Sequence, residues 1–212
     1  MSALLDRIPD RIFRVIAIAV IVIFLTMIVF PLYFMATTAF KFEREIYSEL
    51  TWIPRNPTLS NFVAVVKSFR IQVYMRNSAI VALWATGNVL AISILAAYAL
   101  TRLRFRGRSV LARGVLFVYL IPGSLMFIPM YLIIIRLHLH NTYPGLVIAN
   151  MSFSVPFCTW LLMGYLRNIS VEMEEAALID GCTRLSTLWY IVIPLSVPGI
   201  VASSIFTFNG VW

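Results

Sequence analysis

The residues best placed to do chemistry lie together in one polar stretch of a very apolar chain: Glu172, Glu174, Glu175, Asp180 and Arg184, with Ala176, Ala177 and Gly181 between them. Three carboxylates at the start of a helix-favouring run suit the positive end of a helix dipole. Ser170 is placed to cap that helix, and Gly181 to end it in the left-handed conformation. Thr183 is placed to cap a second helix that enters the apolar segment beyond. A short helix, a glycine turn and a second helix make a compact knob between membrane spans, and the small Ala176 and Ala177 let another surface approach the backbone. The chemistry on offer is docking, not catalysis. Cys158 falls inside an apolar run and Cys182 in the knob; the two form no disulfide framework, and each is read as a small packed side chain. His138 and His140 stand beside a membrane edge and are read as interfacial, so neither metal nor cofactor is expected. No GxxxxGK[ST] phosphate loop is present in the sequence.

The elements that must carry this knob follow from composition. Hydrophobic residues make up 61% of the chain and charged ones 12%, too few to cover a water-exposed fold. The net charge of +8 does not signal nucleic acid, because the arginines flank apolar runs instead of forming one patch. Arg7, Arg11 and Arg14 precede an uncharged run at residues 15–36, about 22 residues, enough to cross a hydrocarbon core of about 30 Å. That is longer than the apolar core of a signal peptide, so the run is read as a retained first span with its amino end in the cytoplasm. Residues 37–77 carry Lys41, Glu43, Arg44, Glu45 and Glu49 and then Pro54 and Pro57. They are read as an outer loop with a short interfacial helix near residues 59–68.

A second span is expected at residues 78–100, followed at once by Arg102, Arg104, Arg106, Arg108 and Arg113. That cluster is the strongest orientation signal in the chain and belongs on the cytoplasmic side. A third span at residues 114–135 is interrupted by Pro122-Gly123 and Pro129. A short outer turn at 136–145 contains the breaker Asn141-Thr142-Tyr143-Pro144-Gly145. A fourth span at 146–166 contains Pro156, which must kink it. A fifth begins near Leu188. None of the nine acidic residues, and no Lys or Arg, falls within these spans. Their absence argues against proton- or ion-coupled transport. Polar groups left to line a path are Asn88, Ser93, Tyr98, Ser124, Tyr131, Asn150, Ser152, Ser154 and Thr159, each equally able to bond a neighbouring helix. The fold class is therefore an all-α polytopic membrane helical bundle. Residues 1–77 are expected as an N-terminal span with its outer loop, and 78–212 as a transmembrane domain with a cytoplasmic loop at 167–189.

The knob also carries a resemblance. Glu175-Ala176-Ala177, three residues, Gly181, nine residues, Ile191, one residue, Ile193 and Pro194 is similar to the cytoplasmic signature loop of bacterial ABC-importer permeases. Ile193 stands where that family more often has leucine. The wider run, with Asp180-Gly181 and Pro194-Leu195-Ser196-Val197-Pro198-Gly199, resembles the carbohydrate-uptake branch, and within it the shorter, maltose-type subunit. The resemblance implies a multi-pass protein of the bacterial inner membrane, with five spans here, the last incomplete, where the resembling permeases have six. It implies no catalytic residue and no cofactor in this chain. Separate ATPase subunits, a second permease subunit and an extracytoplasmic solute-binding protein are the implied partners, within membrane lipid. Glu175 would meet a basic residue of the ATPase, Ala176, Ala177 and Gly181 would permit close docking, and Asp180 would stabilise the loop. Ile191, Ile193 and Pro194 would form the junction to the next span. A pairing of Glu175 with Arg184 across the turn is the structural alternative. A permease for amino acids or peptides, or a non-transporting scaffold, is the alternative function.

Overall fold

The computed structural model describes residues 10–48, 51–68 and 70–212, so Arg7 and Glu49 lie outside the described residues. All regular structure among the described residues is helical. The chain divides into two compact units, Met1–Val73 and Tyr74–Trp212. Four helices are long and apolar enough to cross a membrane, or five spans when one bent pair counts as one. The protein is an all-α polytopic membrane protein.

In the first unit, α1 (Asp10–Ala39) contains the expected first span and runs beyond it at both ends. At 1.5 Å per residue its 30 residues reach about 45 Å. Its apolar side chains point outward on every face, as suits a helix solvated by lipid. Beyond it, α2 (Glu43–Ser48) and α3 (Ser60–Ser68) sit in a tightly bonded loop. The Lys41 ammonium donates to the Thr51 carbonyl and lies over the Phe34 ring. The Asn61 amide donates to the carbonyls of Ala39 and Lys41. The Tyr33 hydroxyl donates to the Trp52 carbonyl at 3.0 Å.

The second unit is built on α4 (Ile71–Arg102), α7 (Tyr143–Leu166) and α10 (Ile193–Val211). The expected second span starts too late: α4 takes in residues 71–77, because no proline or glycine interrupts that stretch. Small residues face the interior: Ala82, Ala85, Ser93 and Ala97 of α4 are buried, as are Ser196, Gly199 and Ser203 of α10. Small side chains let helix backbones approach closely where lipid supplies no hydrophobic drive between helices. At Gly199 the approach is so close that a Cβ would stand 2.6 Å from the Tyr165 ring. Some polar groups in this interior bond to carbonyls or one another: the Ser93 hydroxyl donates to the Val155 carbonyl, and the Cys158 thiol meets the Thr207 hydroxyl at 2.9 Å, whereas the buried Thr86 and Thr159 hydroxyls have no partner among the described residues.

Three expectations are corrected. The third span breaks at Pro122-Gly123 as expected, α5 (Arg108–Tyr119) and α6 (Gly123–Arg136) meeting at a 101° bend, but its first helix starts before residue 114 and Pro129 lies inside α6 without interrupting it. Pro122 offers no N–H and drives the residue before it out of helical geometry, so the chain turns at residues 120–122. Tyr143, Pro144 and Gly145 are not a breaker but the first turn of α7, capped by Thr142, whose hydroxyl accepts from the Gly145 N–H. Gly145 is needed there because a Cβ would collide with the Leu139 carbonyl. The helix that carries the fifth span begins before Leu188, with α9 (Arg184–Thr187) and a π-helical turn at Leu188–Val192 leading into α10. Pro194 has no N–H to give the Tyr190 carbonyl, which accounts for the widened turn just before it.

Candidate functional site

The knob is α8 (Val171–Ile179), the turn at residues 180–183, and α9. Each of its local signals acts as its sequence requires. The Ser170 hydroxyl accepts from the Glu172 N–H at 3.2 Å and opens α8. At the other end the Cys182 N–H donates to the Ala177 carbonyl (2.9 Å) and the Gly181 N–H to the Leu178 carbonyl (3.2 Å). This is a Schellman ending, with Gly181 at φ +90°. The Thr183 hydroxyl then accepts from the Ser186 N–H at 3.2 Å and starts α9.

The two faces of α8 differ. Val171, Glu175, Ala176 and Ile179 are exposed, Ile179 to 85%, while Glu174 and Ala177 are buried. Successive helix residues stand about 100° apart, so adjacent Glu174 and Glu175 point to different surroundings. Glu175 is exposed and makes no ion pair among the described residues. Glu174 pairs with Arg102, Nε to Oε1 at 2.5 Å, with the two side chains only 7% and 6% exposed. The same guanidinium donates to the carbonyls of Leu166 (2.8 Å) and Ile169 (2.9 Å). It therefore joins the end of α4, the end of α7 and the buried face of α8. Beneath it Tyr98, Leu166, Leu188 and Val192 form part of one apolar cluster.

The expected site residues divide accordingly. Glu175 and Ala176 are on the outer face, whereas Ala177 packs inward. Gly181 is exposed and no other part of the chain comes within 4 Å of the place a Cβ would occupy; its positive φ, not crowding by this chain, requires glycine. Asp180 supports the turn through its backbone, its N–H donating to the Ala176 carbonyl at 2.9 Å, and its carboxylate is exposed. Ile191 and Ile193 are half-buried and Pro194 is exposed at the head of α10. Arg184 turns toward the Tyr98 hydroxyl, and among the described residues no ion pair joins it to Glu175, so the expected alternative pairing is absent. Cys182 is exposed, contrary to the expectation of a packed side chain; Cys158 is buried. No group of His, Cys, Asp and Glu among the described residues is arranged to hold a metal ion. Sequence reasoning missed Arg102 and Glu174 as partners. No local signal marked the pair, since Glu175 stands in the same helical spacing to Leu178 and Ile179 as Glu174 does to Ala177 and Leu178.

Away from the knob, a cavity of about 840 Å³ opens beside the bend between α5 and α6. Aromatic rings dominate it: Tyr119 packs against Phe157 at 5.2 Å, Phe127 against Phe153 at 5.9 Å, and Phe206 stands edge-on to Phe157 at 5.7 Å. Of the polar groups proposed to line a path, Tyr131, Asn150 and Ser154 border this cavity. Others serve their own bundle: Asn88 donates to the Trp84 carbonyl, Ser152 to that of Ile148, and Ser93 to that of Val155.

Residues 89–212 match the family described as binding-protein-dependent transport system inner membrane component. The sulfoquinovosyl glycerol transport system permease protein of Agrobacterium fabrum is 34% identical over 184 residues, 86% of this chain and 65% of that protein. A diacetylchitobiose uptake system permease protein of Streptomyces coelicolor is 33% identical, over 87% of this chain and 67% of its own length. An inner membrane ABC transporter permease protein of Escherichia coli K12 is 33% identical, over 90% of this chain and 69% of its own. The chain thus spans about two thirds of the length of these relatives. In fold, it superposes with a TM-score of 0.85 on a chain from the crystal structure of a bacterial ABC transporter involved in the import of the acidic polysaccharide alginate, at 24% identity, covering 96% of this chain and 71% of that one.

Proposed function

The chain belongs to the family of binding-protein-dependent transport system inner membrane components, and from that premise we propose that it is the permease subunit of an ATP-driven importer of a sugar or related carbohydrate. The single observation that carries the reading is the knob: a short helix with an exposed acidic and small-residue face, anchored on its other side into a bundle of apolar helices. An exposed face of that kind suits docking of a separate ATPase. Glu175 would pair with a basic group of the partner, Ala176 would allow close approach, and Gly181 would hold the turn; Ala177 and Asp180 would support that surface from within the loop. Ile191, Ile193 and Pro194 would pass its movement into α10, within a transmembrane domain at 78–212 whose coupling loop is 167–189. Closure of the ATPase would then move the spans as rigid bodies. The names of two relatives, one for sulfoquinovosyl glycerol and one for diacetylchitobiose, favour a carbohydrate cargo over amino acids or peptides. An aromatic cavity bordered by Tyr131, Asn150 and Ser154 suits a sugar, whose apolar ring faces stack and whose hydroxyls need hydrogen-bond partners.

The proposed setting is the bacterial inner membrane, with the amino end in the cytoplasm. A second permease subunit, ATPase subunits and an extracytoplasmic solute-binding protein would complete the assembly. The test is reconstitution of the full-length protein with these partners in sealed vesicles and measurement of uptake from a panel of radiolabelled sugars, amino acids and peptides. Uptake of a sugar that requires both ATP and the binding protein is the expected result. Uptake sustained by an ion gradient without ATP, or of amino acids or peptides only, would overturn the proposal.

A further inference from the structure

Arg102 is the one described side chain that bonds the ends of two long helices and the buried face of the knob at once. Its Nε faces Glu174, and one terminal nitrogen reaches the carbonyls of Leu166 and Ile169. The Leu166 carbonyl is among the last of α7, which have no partner within their own helix. Ile169 lies in the link between α7 and α8. The guanidinium thus ties α4 to both sides of that link, where apolar packing alone would leave α8 free to tilt. A planar fork of donors holds three acceptors in fixed directions, which a lysine ammonium on a flexible stem does not. The surroundings keep water away from the pair, and the Tyr98 hydroxyl of α4, itself bonded by Arg184 of α9, lies near Glu174.

We infer that Arg102 is a positioning residue for α8: its ion pair with Glu174 makes the knob and the ends of α4 and α7 one body, so that force applied at Glu175, Ala176 and Ile179 moves both helices instead of pivoting the knob. The adjacent carboxylates then divide the work, Glu175 facing the partner and Glu174 facing the bundle. The inference rests on the transport reading given above, and its test separates the two.

The experiment uses the full-length protein, with Cys182→Ser, in complex with its ATPase and second permease subunit in lipid vesicles. Arg102→Lys and Glu174→Gln are compared with the parent for ATPase co-purification, for sugar moved per ATP hydrolysed, and for the spectrum of a spin label at Glu172→Cys. In both variants co-purification should stay within about two-fold while sugar moved per ATP falls about five-fold or more, the lower end of ordinary coupling energies. The label should become more mobile. A double Arg102→Cys/Glu174→Cys variant, joined by a short reversible bifunctional thiol reagent, should recover the parent ratio and lose it again on reduction. Unchanged sugar per ATP with unchanged label mobility overturns the inference. So does loss of ATPase association that the cross-link fails to restore, since the pair is then needed only for folding. A parent complex with no ATP-driven uptake overturns the transport reading instead. The label spectrum, which needs no transport, still decides whether the pair positions α8.

Discussion

At the scale of single residues, Gly181 separates two effects that a bulky substitution would otherwise merge. Its φ of +90° is one that L-residues adopt at a cost of about 1–2 kcal/mol. The space around it is open in this chain, so an added methyl group meets nothing. Gly181→Ala should therefore strain the turn by about that amount yet leave partner docking possible. Gly181→Leu adds bulk on the face proposed to dock, and should still insert in the membrane while losing substrate-stimulated ATP hydrolysis. Glu175→Ala should weaken ATPase association more mildly, since one charge-assisted hydrogen bond is worth about 1.5–3 kcal/mol. Co-purification and stimulated hydrolysis, with a membrane-insertion control, check all three. Normal stimulation in Gly181→Leu would remove this turn from coupling. Glu174 stands in a different position from its neighbour. Breaking a buried ion pair by removing one partner costs about 3–5 kcal/mol, because the other charge stays behind.

At the scale of elements, the loop after α1 is held in part by an acidic residue, beside the ring contacts of Phe40 with Phe62 and Phe30 with Trp52. The Arg55 backbone N–H donates to the Glu45 carboxylate at 2.9 Å, and the Thr51 hydroxyl donates to the same oxygen at 3.0 Å. The Arg55 bond is the main cause that holds the carboxyl below its ordinary pKa; desolvation opposes it, and the bond from Thr51 and the charges of Lys41 and Arg55 add to the lowering. A depressed carboxylate contributes stability above its unfolded-state pKa and loses it as pH falls through the folded-state value. Protection of the Arg55 amide, taken relative to intrinsic exchange at each pH, should therefore fall as the pH is lowered through and below the ordinary carboxylate range. Glu45→Gln, which cannot titrate, should show a flat profile over the same range. Identical pH dependence in the two proteins would mean that other groups hold the loop. The elements α8 and α9 follow a parallel logic, each opened by a hydroxyl cap and separated by one glycine, so their boundaries are local properties.

For the whole molecule, orientation rests on the basic cluster between α4 and α5. Arg104 and Arg106 are exposed there, while Arg102 is committed to Glu174, so the topological signal is carried by the arginines beyond it. Positively charged segments next to spans stay on the cytoplasmic side. A cysteine at exposed Ser48 should react with a membrane-impermeant reagent applied from outside the inner membrane, and one at exposed Ser109 should react only after the membrane is opened. Labelling in the reverse order would invert the proposed orientation, and with it the side on which the knob meets its partner.

The positions of the long apolar helices and the caps of the knob were legible in the residues themselves. A run without charge must cross lipid as a helix, since no water is there to satisfy its backbone, and Ser170, Gly181 and Thr183 act on groups two to four residues away. What only the tertiary structure decided is non-local. The pairing of Arg102 with Glu174 joins residues 72 positions apart. Neither residue type nor spacing distinguishes Glu174 from Glu175 until α8 lies against α4 and α7. The same holds for the 101° bend between α5 and α6, whose proline announces a break but not its angle, and for Gly145, whose need for close approach arises from the carbonyl of Leu139 folding back onto it. Local signals act through the nearest backbone groups and are written in sequence order. Directions of packing depend on which surfaces meet, and that is settled only when the helices assemble.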